Sequence, residues 1–245
     1  MRRPPTVVIA GCCLALLVVI VGVAVALNGG GPFGIDSTVM SWMLAHRAAT
    51  AQSSVSTLTA VDTLTWFFSP VAVCIWTVLL AVAIGVRDRT AVRAIPIAAT
   101  VAAAGAAGEV AKIAVNRPRP SLVYQLGTPE ATYSYPSGHV TGTSALAVVA
   151  VVIVGAAWSR TTRLIAAAAA ALVILTAAAT RLYLGVHWVT DVMAGACLGT
   201  AVALVIPAVS GRALPILAVR APDRMRRYLL PAISASRRPP AVAPH

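Results

Sequence analysis

Six stretches of this chain are almost continuously apolar. Val7 to Leu27 and Thr63 to Val86 contain no charged residue. Ala94 to Gly108 is shorter and resumes beyond Glu109. Val140 to Ser159, Leu164 to Thr180 and Val192 to Gly211 complete the set. A helix needs about 20 apolar residues to cross the hydrocarbon of a bilayer. The pattern therefore predicts an all-α fold, a bundle of six transmembrane helices. Residues 1–59 hold the first helix and an outer amphipathic segment, 60–211 a core of five helices, and 212–245 a basic tail.

The polar breaks carry their own signals. "NGGGP" at 28–32 ends the first run. Ile35, Val39, Met40, Trp42 and Met43 then alternate with polar residues, which suits a short amphipathic helix at the outer interface, capped by Asp36 or Ser37. "GVRDRTAVR" at 85–93 and "WSRTTR" at 158–163 read as short inner turns. The alanines at 166–171 favour helix and let neighbouring helices approach closely. "GACLG" at 195–199 reads as bundle packing. The first run follows Arg2 and Arg3 and contains "AVA" at 24–26, as a signal peptide would. Its apolar part exceeds the roughly 7–15 residues of a signal core, so an uncleaved helix is expected. "IAGC" at 9–12 has almost no apolar core before it and is not read as a lipoprotein cleavage site.

Composition sharpens the picture. Of 245 residues, 59% are apolar and 11% charged. A soluble domain carries about 25% charge; this chain cannot solvate an ordinary surface, but lipid can. The net charge of +12 raises nucleic acid as a partner, and its distribution argues against one. With the N-terminus inside, the inner segments hold Arg2, Arg3, Arg87, Arg89, Arg93, Arg160, Arg163, Arg212, Arg220, Arg224, Arg226, Arg227, Arg237 and Arg238. The outer segments hold Arg47, Lys112, Arg117, Arg119 and Arg181. Basic loops mark the cytoplasmic side, so fourteen against five places both termini in the cytoplasm of a plasma (inner) membrane protein. The tail reads as a topology anchor or anionic-lipid contact, and its last stretch, "SASRRPPAVAPH", as disordered. The expected partner is the bilayer; no protein partner is indicated. Cys12, Cys13, Cys74 and Cys197 sit in apolar runs without CxxC spacing. They are expected to be small core residues, with no disulfide and no metal site.

Three polar segments then fall at the outer ends of spanning helices: "KIAVNRPRP" at 112–120, "YPSGH" at 135–139 and "RLYLGVHWVTD" at 181–191. Charge at a membrane boundary points to function. Snorkelling anchors account for scattered arginines but not for two histidines on one side. Lys112 is the only lysine of the chain. A continuous helix would hold it about 10 Å from Arg119, but Pro118 and Pro120 forbid that and turn the chain near Asn116. Arg117 and Arg119 are both candidates to fold back toward Lys112. Ser137 and Gly138 open a helix, where free N–H groups attract anions and glycine admits a ligand closely. Taken alone that turn is an ordinary cap. His187 and Asp191 are four apart and share a helix face. A carboxylate on one ring nitrogen leaves the other free as base or nucleophile, although an isolated pair of this kind is as often structural. Together the three segments describe a phosphate site of cations, a helix start, a hydroxyl and two histidines. A metal phosphatase needs carboxylate ligands. Asp36, Asp62, Glu130 and Asp191 are too scattered in sequence for a cage, so no metal and no cofactor are expected.

Lys112-x6-Arg119-Pro120, Pro136-Ser137-Gly138-His139 and Arg181-x5-His187-x3-Asp191 resemble the three-part signature of the type-2 phosphatidic acid phosphatases, whose superfamily includes vanadium-dependent haloperoxidases. The resemblance covers roughly residues 60–210. Thr180 stands where many members have serine and Val189 where many have proline; neither is a reacting group. The resemblance favours Arg119 over Arg117. It implies that His187 attacks phosphorus, Asp191 orients it and His139 protonates the leaving alkoxide, while Lys112, Arg119, Ser137, Gly138 and Arg181 hold the phosphoryl oxygens.

The implied activity is that of a lipid phosphate phosphatase with its active site at the extracytoplasmic helix ends. The lipid is a polyprenyl (for example undecaprenyl) phosphate or diphosphate, phosphatidic acid or phosphatidylglycerol phosphate. Two alternatives stand beside it. A phosphotransferase would pass the phosphoryl group to an acceptor hydroxyl. A non-enzymatic membrane protein would use only the basic tail to bind anionic lipid. A haloperoxidase is disfavoured because those relatives are soluble.

Overall fold

A computed structural model describes residues 5–50, 54–220, 222 and 228–229. The helices run α1 Pro5–Leu27, α2 Gly34–Thr50, α3 Ser54–Phe67, α4 Pro70–Asp88, α5 Ala94–Val115, α6 Gly138–Val154, α7 Arg160–Tyr183 and α8 Val189–Arg220. Among the described residues, six of them are long and apolar enough to span a membrane: α1, α4, α5, α6, α7 and α8. The chain is a multi-pass membrane protein with an all-α fold.

One predicted span is shorter than its apolar run. The run from Thr63 to Val86 breaks at Ser69-Pro70. Proline at the first helical position starts a helix well and cannot continue one. The Ser69 hydroxyl accepts from Ala72 N at 3.1 Å and caps α4. The residues before the break form the separate helix α3. The amphipathic helix forms as α2, but it starts at Gly34, so Asp36 and Ser37, expected as caps, lie inside it, with Asp36 in its first turn. Its carboxylate accepts from Phe33 N and is buried against Arg117.

The core lies between α6 and α8. A Cβ added at Gly199 would stand 2.3 Å from Thr141 O, and one at Gly195 2.8 Å from Ser137 O. The small residues of "GACLG" thus seat α8 directly on α6. On the far side of α8, Val18 and Val25 of α1 pack with Tyr135, Ala194 and Leu198. Toward the opposite end, Ile84, Ile97, Val149, Ile153 and Ala203 close the bundle. Two readings need correction. The alanine run at 166–171 lies mostly on the exposed face of α7, with only Ala166 and Ala170 half-buried. Cys12, Cys13 and Cys74 are exposed rather than in the core, and only Cys197 is half-buried. Both have one cause: apolar side chains facing lipid carry no solvation penalty, so an apolar run does not say which face is inside.

Helix order brings the ends of α1, α5 and α7 and the starts of α4, α6 and α8 to one side of the bundle. The opposite end holds Arg87, Arg89, Arg93, Arg160 and Arg163, with Arg212 in the last turns of α8. Beyond Arg220, Arg224, Arg226, Arg227, Arg237, Arg238 and the tail stretch read as disordered lie outside the described residues, as do Arg2 and Arg3.

Candidate active site

The three polar segments meet at the first of these ends. α5 stops where Asn116 adopts φ 50° and returns its N–H to Lys112 O. Pro118 and Pro120 prevent further helix, and the chain folds back across the bundle end. Arg119 is thereby carried to His187: Nη1 lies 3.0 Å from His187 Nε2 and donates to Val186 O at 2.7 Å. Two bonds from Arg119 to Thr132, through Nε and Nη2, hold the guanidinium flat against the returning loop.

His187 lies in the short link between α7 and α8 and is buried. Its Nδ1 faces Asp191 Oδ2 at 3.5 Å. The same carboxylate oxygen accepts from Trp188 N at 2.9 Å, which fixes its orientation at the start of α8. Burial, reinforced by the charges of Arg119 and Arg181, holds the His187 imidazole well below its ordinary range. The ring is neutral at pH 7.

Around the ring stand the other predicted residues. Arg181, in the last turn of α7, is buried. Lys112 reaches from α5 so that its Nζ would lie 3.5 Å from a Cβ at Gly138. That is ordinary contact distance, which puts the amine beside the backbone at the start of α6. Lys112 also pairs with Glu109 at 2.7 Å. Ser137 is buried, and its N–H donates to Asp191 O at 3.1 Å, tying the α6 start to α8. Its hydroxyl and Arg181 Nε are buried without a hydrogen-bond partner. His139 lies within electrostatic reach of Arg181, His187, Arg119 and Lys112. All eight residues singled out in the sequence therefore converge at one bundle end.

Three further residues gather here; the sequence offers Arg117 as an alternative to Arg119 but gives Asp36 and Glu130 no catalytic signal. Arg117 does not reach the cradle. It is fully buried behind Asp191, donating to Asp191 Oδ1 at 2.5 Å and to Asp36 Oδ2 at 2.7 Å. The doubled Arg-Pro of "RPRP" signalled two arginines; only the fold separates their tasks. Asp36 comes from α2, about 150 residues from Thr190, its partner. Glu130 has no spacing signal at all, yet its carboxylate bridges Arg181 and Arg119, the latter at 2.8 Å. Burial alone would raise the Glu130 carboxyl, but Arg181 and Arg119 outweigh it and hold the group below its ordinary range. The two arginines thus already grip an oxyanion beside His187.

Comparison with known proteins bears on the family and the fold. Residues 93–214 match the family model described as the PAP2 superfamily. Among solved structures the chain is similar to one described as the first transmembrane PAP2 type phosphatidylglycerolphosphate phosphatase from Bacillus subtilis. The TM-score is 0.68 at 18% identity, covering 82% of this chain and 96% of that one. At that identity the likeness is one of fold. No curated protein matches the chain.

Proposed function

Since this chain belongs to the PAP2 superfamily, we propose that it is a lipid phosphate phosphatase that hydrolyses a lipid phosphomonoester or diphosphate through a phosphohistidine at His187. The observation that carries the reading is the pairing around one ring. Asp191 faces Nδ1 of His187, and Arg119 stands at Nε2, inside a cradle that binds a carboxylate through two arginines.

In the first step Nε2 attacks phosphorus, the bond from phosphorus to the leaving oxygen breaks, and His139 gives that oxygen a proton. In the second, water attacks the phosphohistidine, His139 takes the water's proton, and inorganic phosphate leaves. Arg119, Arg181, Lys112, Ser137 and the Gly138 amide hold the phosphoryl oxygens throughout. A loose phosphoryl transition state spreads its charge over those oxygens, so positioned cations supply most of the rate. Three fixed cations carry out the charge neutralisation that a divalent metal performs elsewhere. Glu130 must leave the cradle before a phosphate can enter it.

The site lies at the mouth of a six-helix bundle, the depth of a lipid headgroup. Polyprenyl phosphates or diphosphates, phosphatidic acid and phosphatidylglycerol phosphate all place their phosphorus there. The basic residues gathered at the other end support cytoplasmic termini and an active site outside the plasma membrane. Release of inorganic phosphate from a panel of these lipids by the purified chain tests the reading. No release from any of them, with the protein folded, overturns it.

A further inference from the structure

Among the described residues, Asp36 is the one buried carboxylate at this bundle end that comes from outside residues 93–214. Apart from the bond it accepts from Phe33 N, its contacts lead toward Asp191. Oδ2 accepts from Arg117 Nη2 at 2.7 Å, and Arg117 Nη1 donates to Asp191 Oδ1 at 2.5 Å. Oδ1 accepts from Thr190 N and from the Thr190 hydroxyl, each at 2.9 Å. That hydroxyl also lies 2.7 Å from Arg117 Nη1. Gly31 O and Gly30 O accept from the remaining guanidinium N–H groups. Phe33 and Trp188 stand over the guanidinium at 6.0 and 5.7 Å from their ring centres.

We propose that Asp36 is a positioning residue of the reaction: through Arg117 and Thr190 it fixes Asp191 behind His187 and keeps the net charge behind the ring negative. The inference rests on the phosphatase reading above. Arg117 alone would cancel the charge of Asp191. Two carboxylates against one guanidinium leave one negative charge, buried and poorly screened. When Nε2 bonds to phosphorus the imidazole becomes cationic, and that charge stabilises it. The contact from Nδ1 to Asp191, 3.5 Å in the resting site, is the one that shortens at that moment. Without Asp36, Arg117 turns wholly to Asp191 and draws it from the ring. α2 is then part of the active site and not merely an interfacial helix.

The charged and titratable groups facing His187 are Arg119, Glu130, Arg181, Lys112, His139 and Asp191. Asp36 touches only the last of these, and only through Arg117 and Thr190. Asp36→Asn keeps the shape and removes the charge. In the purified full chain, kcat on an alkyl phosphate should fall about 10-fold with KM changed less than about twofold, the scale on which an orienting partner acts. Histidine-labelled NMR should show the His187 Nδ1–H proton moving upfield as Asp191 is drawn from it, while Arg119 keeps the tautomer. A folded Asp36→Asn variant with wild-type kcat overturns the proposal. So does a fall in kcat with the His187 Nδ1–H shift unchanged, since that is a structural role only. If Asp36→Asn does not fold, Thr190→Val decides. It deletes the hydroxyl between Asp36 and Arg117 and should give a fall of about threefold in kcat with a shift in the same direction; wild-type behaviour overturns the idea. A wild-type chain that releases phosphate from no lipid refutes the phosphatase reading instead. The Nδ1–H comparison uses no substrate and still decides the role of Asp36.

Discussion

Arg119 Nη1 lies 3.0 Å from His187 Nε2, and a guanidinium can only donate. Nε2 therefore carries a lone pair, the proton sits on Nδ1 toward Asp191, and the free nitrogen faces the cradle. The resting ring is held in the tautomer that the proposed attack by Nε2 requires.

A pH dependence follows. An ordinary histidine, with a pKa of about 6.5, is mostly protonated at pH 5.5 and cannot attack. Burial and the charges of Arg119 and Arg181 lower the His187 value, so its neutral form persists as pH falls through that range. On nitrophenyl phosphate, whose leaving group needs no proton from His139, and corrected for the ionisation of the substrate phosphate, kcat/KM should stay level from pH 7 to pH 5.5. An acid limb centred near pH 6.5 would show that His187 titrates normally and that the cradle does not act on it.

The two arginines of "RPRP" should fail in different ways. Arg117→Ala leaves Asp36 and Asp191 buried and unpaired. Removing one partner of a buried pair costs about 3–5 kcal/mol, so thermal unfolding should come markedly earlier. Arg119→Ala leaves Glu130 paired with Arg181 and should cost less thermal stability than Arg117→Ala, while raising KM for phosphate substrates. Equal thermal stability of the two variants contradicts this division.

What the sequence made legible was the set of helix ends and what stands there. Hydropathy marks the spans, and "KIAVNRPRP", "YPSGH" and "RLYLGVHWVTD" each fall beside one, so their meeting at one side follows from alternation alone. The course of the connections was not legible. Nothing in the spacing tells that the 121–133 loop returns Glu130 to Arg181, or that Asp36 crosses to Thr190. The choice between Arg117 and Arg119 hangs on how two prolines direct a five-residue turn. Helix faces were also hidden. In lipid an alanine or cysteine can point either way at no cost, so the run at 166–171 and the pair Cys12 and Cys13 gave no sign of facing outward.

Glu130 should compete with substrate. Its carboxylate bridges Arg119 and Arg181, the place proposed for phosphoryl oxygens. Glu130→Gln keeps the size and drops the charge, so both arginines are freed for an incoming anion. Vanadate, which mimics the transition state in the same cradle, should bind about 10-fold more tightly to the variant, a difference of about 1.4 kcal/mol. Weaker vanadate binding would mean that Glu130 supports the cradle rather than occupying it.

Orientation in the membrane is open to a direct reading. Arg87, Arg89, Arg93, Arg160 and Arg163 gather at the end opposite the site, and basic loops stay in the cytoplasm. A reporter fused after Arg87 should signal the cytoplasm and one fused after Thr128 the outside. Signals from the same compartment would sink the proposed topology.

The two histidines separate by leaving group. Both stand at the bundle mouth, but only His187 has a carboxylate facing Nδ1 and an arginine at Nε2. The proposed reaction therefore gives His187 the attack and leaves His139, near the cations of the cradle, to protonate the departing oxygen. A positioned general acid contributes about 10²–10⁴-fold, and it matters most for a poor leaving group such as a lipid alkoxide. Nitrophenolate leaves without a proton. His139→Ala should therefore lose about 10²-fold or more on an alkyl lipid phosphate and keep much of its rate on nitrophenyl phosphate. His187→Ala should lose both, because no phosphohistidine can form. Equal losses on the two substrates for His139→Ala would remove it from the role of acid, and labelled phosphate trapped on His187→Ala protein would place the nucleophile elsewhere.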